Sequence, residues 1–179
     1  AGALVKPLLD RDPTGETQRI AEAALGSGGP RSEHGVWASR DGARAVLLAQ
    51  AEMQMDDQEF DQALATLERV RAHNPKHGQA LKLLAALYWR RQDWRLLADL
   101  LPALRAMPPL PPEKLNRWAM DAFEALLGDP ALQLGDIGTL WDEVPRMLRR
   151  EPRLVLARAR ALSRCGAAAT AEAEIRSAL

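Results

Sequence analysis

The sequence predicts an all-α fold built from helix pairs, and three observations carry that prediction. The 179 residues are visibly rich in Ala, Leu, Arg and Glu, all good helix formers, while aromatics make up only 4%. Val and Ile are sparse, and no stretch alternates polar with apolar residues as a half-buried strand does. Five pairs of similar residues stand 34 positions apart: Glu59 and Asp93, Phe60 and Trp94, Leu67 and Leu101, Val70 and Leu104, Pro75 and Pro109. A fixed offset of this kind marks a repeated unit that buries its apolar face against its neighbours.

Each element follows from local chemistry. Residues 16–25 read as helical, with Ile20, Ala24 and Leu25 partly on one face. Residues 26–40 read as a linker opened by Gly26-Ser27-Gly28-Gly29-Pro30. The expected organisation is therefore an N-terminal segment at 1–41, partly helical plus linker, and a helical repeat domain at 42–179. Within the repeat domain, helices are expected near 42–56, 60–73, 78–91, 93–106, 111–127, 136–150, 152–164 and 167–178. Asn74-Pro75, Pro108 to Pro112, Gly128-Asp129-Pro130 and Glu151-Pro152 separate them.

The second helix of each pair repeats one apolar stripe. It reads Phe60, Ala63, Leu67, Val70 in the first unit and Trp94, Leu97, Leu101, Leu104 in the second. It continues as Ile137, Leu140, Val144, Met147, and then as Ala168, Ala171, Ile175, Ala178. Such spacings of three and four put the apolar groups on one side of a helix. First helices agree: Leu81, Leu84, Ala85 and Tyr88 form a tight-packing set, matched by Val155, Arg158, Ala159 and Leu162 before Gly166. The third unit is longer, and the loop from Gly128 to Gly135 absorbs the excess. Pro102 and Pro145 each follow a stripe residue, Leu101 and Val144. An in-helix proline removes a backbone bond, so both second helices are expected to be bent.

A period of 34 residues is that of the tetratricopeptide (TPR) helix–turn–helix. The expected architecture is a TPR-like right-handed solenoid of about four helix pairs, with an irregular N-terminal segment. The segments LATLERVRAHNPKHGQALKLLA, DWRLLADLLPALR and LWDEVPRMLRREPRLVLARARAL resemble the C-terminal TPR region of bacterial HemY proteins, over residues 43–179. That resemblance implies a non-catalytic scaffold tied to haem (porphyrin) biosynthesis, with partner proteins among the enzymes of that pathway. It also implies a parent protein in the bacterial inner membrane, touching the bilayer only through segments outside this chain. The name HemY is shared by an unrelated flavoenzyme, whose G-x-G-x-x-G fingerprint does not occur here.

Composition excludes several classes. Lys+Arg and Asp+Glu both number 24, against the basic balance of a bulk nucleic-acid binder. One cysteine, Cys165, builds neither a disulfide framework nor a cysteine-based zinc site. No apolar run reaches the roughly 18 residues of a membrane span. No nucleophile–base pair, phosphate loop or paired carboxylate stands out, so no catalytic residue, metal site or cofactor is expected.

The concave face of such an array is lined by outward positions of the first helices. Those positions are Glu52, Met55, Lys82, Trp89, Arg90, Asn116, Met120, Phe123, Arg160 and Arg164. Lys82, Trp89, Arg90, Asn116, Phe123, Arg160 and Arg164 form the expected partner-binding groove, since aromatic and basic groups in a concavity suit peptides or anionic ligands. The alternative function is direct binding of a tetrapyrrole or haem, stacked on Trp89 or Phe123 with Arg on its propionates. Arg146, Arg149, Arg150 and Arg153 read either as an anion or acidic-peptide patch or, as preferred, as ordinary solvated or paired surface charge. His73 and His77 flank Pro75 in a turn and read as a surface pair rather than as ligands. Cys165 reads as a small packing residue. Ala86 stands where a chaperone-tail clamp needs Asn beside Lys82, which removes that partner class.

Overall fold

The computed structural model describes residues 40–107 and 110–178, and all regular structure among them is helical. The helix expected at 16–25, most of the linker at 26–40, and Pro109 of the repeat pairs lie outside the described residues. The chain divides into two compact units, the first ending at Leu87 and the second starting at Tyr88.

In the first unit, α1 (Arg40–Asp56) packs on α2 (Phe60–His73), and α3 (Gly78–Arg91) begins. Val46, Leu47, Ala51, Ala63, Leu67 and Val70 are buried, so the stripe read from Ala63, Leu67 and Val70 faces inward. Burying each large aliphatic side chain contributes roughly 1.5–3 kcal/mol. Thr66 is buried among them, and its hydroxyl donates to the Gln62 carbonyl and lies 3.0 Å from Gln54 Oε1. Gln79 Nε2 donates to Glu52 Oε1 at 3.1 Å, joining α3 to α1.

The second unit holds the end of α3, then α4 (Trp94–Arg105), α5 (Pro112–Gly128) and α6 (Leu134–Glu143). A 3-10 turn (Arg146–Leu148), α7 (Pro152–Arg164) and α8 (Ala168–Ala178) follow. Helix α4 packs on α5, α5 on α6 and α7, and α7 on α6 and α8. Helices α1, α5 and α7 thus each touch their own second helix, and α5 also touches α7 and the preceding second helix α4, which is the connectivity of TPR-like helix pairs. The expected all-α array of helix pairs is the observed fold class.

Three of the turns inside helix pairs share one geometry. Gln58 and Gln92, 34 residues apart, both adopt left-handed backbone with φ of 64° and 62°, and Gly166 does so at 82°. After α1, the Glu59 N–H donates to the Gln54 carbonyl and the Gln58 N–H to that of Met55. Asp93 and Gln92 repeat this pair of bonds to Tyr88 and Trp89, and Ala167 and Gly166 repeat it to Leu162 and Ser163. These are Schellman closures, which satisfy carbonyls that the helix end would leave open. Glutamine in this conformation costs roughly 1–2 kcal/mol more than glycine through the clash of its Cβ.

The two prolines behave differently, which corrects the expectation of two bent second helices. Helix α4 runs through Pro102 to Arg105. Helix α6 stops at Glu143, Val144 is extended at ψ 127°, and the chain restarts as the 3-10 turn after Pro145. The ring of a proline disfavours helical backbone in the residue before it, and at Val144 that preference prevails. The break also shifts the stripe by one residue. Met147, expected inside, is 65% exposed, and Leu148 takes the buried place. Ile175, also expected on the buried stripe, is 39% exposed, while Ala171 packs inward.

Candidate functional site

The first helices of the second unit carry a connected polar strip. Trp89, near the end of α3, is half-buried, and its indole Nε1 donates to Asp121 Oδ2 of α5 at 3.0 Å. The Arg117 guanidinium lies 5.9 Å from the centre of the same ring. From α7, Arg153 reaches back to Asp121 Oδ1 at 3.5 Å and to the Glu124 carboxylate. The Glu124 hydrogen bond holds the Arg153 guanidinium above the ordinary arginine range. Trp89, Asp121 and Arg153 therefore link three successive first helices. Asp121 accepts from both sides, which fixes the plane of the indole.

The expected groove residues divide into three groups. Trp89 and Asn116 are half-buried and Arg90 and Arg160 exposed, all on first helices of the second unit. Arg164 is exposed, but Nη2 of its guanidinium donates to the carbonyls of Leu127 at 2.8 Å and Asp129 at 3.1 Å, closing the end of α5. Lys82 is half-buried in the first unit.

Phe123 is a correction. It is 2% exposed, a core residue unable to line a groove. The cause is readable in hindsight: Leu115, Ala119, Phe123 and Leu127 follow one another at steps of four, and all are buried. Met55 is likewise buried rather than outward.

Sequence reasoning missed Asp121, the centre of the strip. Its only available signal was its place on the outward side of α5, beside Arg117 and Glu124. The weighed arginine patch comes apart. Arg153 belongs to the polar strip. Arg149 Nε donates to the Val144 carbonyl and its Nη2 to that of Asp142, where the break at Pro145 leaves carbonyls open. His73 Nδ1 lies 2.9 Å from the Arg69 carbonyl, and the Ala80 N–H donates to His77 Nδ1, so both rings serve their own turn. Cys165 Sγ lies 3.4 Å from the Leu132 carbonyl.

Two pockets open on the side of the second helices. One, of about 420 Å³, lies along α4 and α6, with Phe123 at its wall and Pro102 and Pro145 on its rim. Arg95 spans it and pairs with both oxygens of Glu143 at 2.9 and 3.1 Å. Burial pushes the Arg105 guanidinium there below the ordinary arginine value. The other, of about 580 Å³, is lined by Trp141, Val155 and three arginines. Among the described residues, no helix is long and apolar enough to cross a membrane.

Compared with known proteins, residues 16–100 match the family described as Tetratricopeptide repeat protein 21 ARM repeat, just under half of the chain. No curated protein and no solved structure matches. The match and the helix pairing together make this a TPR-like repeat domain, an architecture that in general serves as a scaffold for protein interaction.

Proposed function

We propose that this chain is the non-catalytic interaction domain of a HemY-like protein, gathering proteins of haem biosynthesis on its first-helix face. The observation that carries the binding face is the Trp89 indole, half-exposed and held by Asp121. A large ring fixed before binding loses little freedom when a partner covers it, which is what an anchoring residue needs. Arg90, Asn116 and Arg160 supply polar contacts around it, and Arg164 a fixed guanidinium. The link to haem biosynthesis, and a parent protein held in the bacterial inner membrane, rest on the segments of residues 43–179 that resemble HemY. Tetrapyrrole binding is the weaker reading, because Phe123, one of its two stacking rings, is in the core.

The test is capture of partners from a lysate by the immobilised chain and by the variant Trp89→Ala with Arg90→Glu, both checked for helical circular dichroism. Proteins recovered are identified by mass spectrometry, and their affinities are measured with purified material. Losing an anchoring Trp weakens binding by roughly 30-fold, or ~2 kcal/mol. Equal affinity for both forms overturns the face. A partner set without any enzyme of tetrapyrrole synthesis overturns the pathway. A haem absorbance change on titration, lost in Trp89→Ala, would favour the weaker reading.

A further inference from the structure

Helix α7 turns basic residues to two opposite sides. At about 100° per residue, Arg160 and Arg164 fall within roughly 20° of Arg153, whereas Arg158 is about 140° away and Val155 about 160°. The first side belongs to the polar strip, where Asp121 and Glu124 match the charge of Arg153. The second side faces the pocket of about 580 Å³ closed by α6, α8 and the turn after Pro145, and there the charges do not match. Arg149, Arg150 and Arg158 line it against one carboxylate, Glu174.

The three arginines are prepared to different degrees. Arg158 stacks over the Trp141 ring, 4.6 Å from its centre, and pairs with Glu174 at 2.7 Å. Its Nε is buried and has no acceptor among the described residues. Arg149 is immobilised by the carbonyls of Val144 and Asp142, with Nη1 left over. Arg150 is exposed and makes no hydrogen bond or ion pair among the described residues. Glu174 offsets the charge of Arg158, and the Asp142 carboxylate, largely exposed to water, stands only loosely against Arg149 at 3.8 Å, so the lining stays net positive. Trp141 and Val155 add an apolar wall next to the guanidinium groups.

We infer that this pocket binds a carboxylate-bearing segment of a partner protein, an acidic peptide with apolar side chains. Carboxylates would accept from Arg149 and Arg150 as charge-assisted hydrogen bonds, and an adjacent apolar side chain would lie on Trp141 and Val155. The planar fork of a guanidinium suits a carboxylate, and a group already anchored on backbone loses little freedom on pairing. The pocket is far larger than one small oxyanion, and its apolar wall has no role for inorganic phosphate. This site lies on the opposite side of α7 from the polar strip and stands or falls separately from the proposed partner face.

The experiment uses the full chain and a fluorescein-labelled peptide of alternating Glu and Leu, read by fluorescence anisotropy at low salt. Arg150→Glu is the main variant, because its side chain is exposed and carries no contact that folding needs. Binding is expected to weaken at least tenfold in Arg150→Glu. It should change less than twofold in Lys76→Glu, which alters the net charge equally at an exposed site in the first unit. Trp141 is the ring in contact, so peptide binding should also quench tryptophan fluorescence less in Trp141→Leu than in the parent. Equal weakening by Lys76→Glu would mean bulk charge attraction and would overturn the site. So would unchanged binding in Arg150→Glu, or displacement of the peptide by millimolar inorganic phosphate at constant ionic strength.

Discussion

Helices α4 and α6 occupy the same place in successive helix pairs and carry a proline at the same point of the stripe, yet only α4 remains one helix. In α4, Pro102 is exposed and the turns on either side are secured by buried Leu97, Leu101 and Leu104. Within α6 itself only Ile137 and Leu140 are buried, with Val144 buried at the break, and Gly135 and Gly138 weaken the helix. The comparison teaches that proline alone does not decide whether a helix ends. It removes one hydrogen bond and crowds the preceding turn, and the outcome depends on how much packing holds that turn in place.

The largest expected effect separates the two stripes. Leu104→Asp buries an unpaired charge in α4 and should cost several kcal/mol, comparable to a whole domain's stability. Met147→Asp falls at the matching place after Pro145, where the side chain is exposed, and should change stability by less than about 0.5 kcal/mol. Thermal melts followed by circular dichroism decide this. Equal loss in both variants would mean that the stripe does not shift at the break.

Next in size is the pair Pro102→Ala and Pro145→Ala, for which opposite signs are expected. Alanine at 102 restores a helical bond and relieves the ring clash, worth up to about 3 kcal/mol. Greater freedom of the unfolded chain takes back about 0.4–1 kcal/mol of that gain. Alanine at 145 gains no helical bond, because Val144 is extended, and should destabilise by about 0.4–1 kcal/mol. Urea unfolding of the two variants measures both, and a shared sign would erase the distinction drawn here.

The smallest effect concerns the bridge across the pocket. Arg95→Ala removes the bidentate pair with Glu143 that ties α4 to α6. Both groups are well exposed to water, so the loss should stay below about 1 kcal/mol and shrink further in high salt. A larger, salt-independent loss would show that α6 is held in place mainly by this pair.

Much of this architecture was legible because its punctuation is chemical. Asn74-Pro75, Glu151-Pro152 and the glycine-bounded loop ending near Gly135 set helix ends that the structure keeps within a residue or two. The break at Pro145 was misread because the apolar spacing continued through it: Ile137, Leu140, Val144 and Met147 satisfy the periodicity whether or not the helix does. The turns at Gln58 and Gln92 were invisible for another reason. Glutamine gives no sign of a left-handed backbone, whereas Gly166 does. Phe123 was assigned to the groove because an aromatic residue draws attention, although its step of four from Ala119 placed it inside. Asp121 and the side of α7 that carries Arg158 depend on which helices become neighbours, and spacing along a single helix does not encode that.

The Schellman closures also bear on how the chain finds its fold. Each is built from hydrogen bonds spanning no more than five residues, and those after α1 and α7 join a second helix that packs back on the first. Contacts that are near in sequence require little loop closure, so they form before contacts between distant segments. The pairs α1 with α2 and α7 with α8 should therefore be the earliest ordered pieces, arising on the microsecond scale of local helical structure, with docking of neighbours following. On that route Gln58 and Gln92 are slow points relative to Gly166, since a left-handed residue with a Cβ is visited less often in the unfolded chain. Order would then spread from the C-terminal pair, closed by its glycine, sooner than from the N-terminal one.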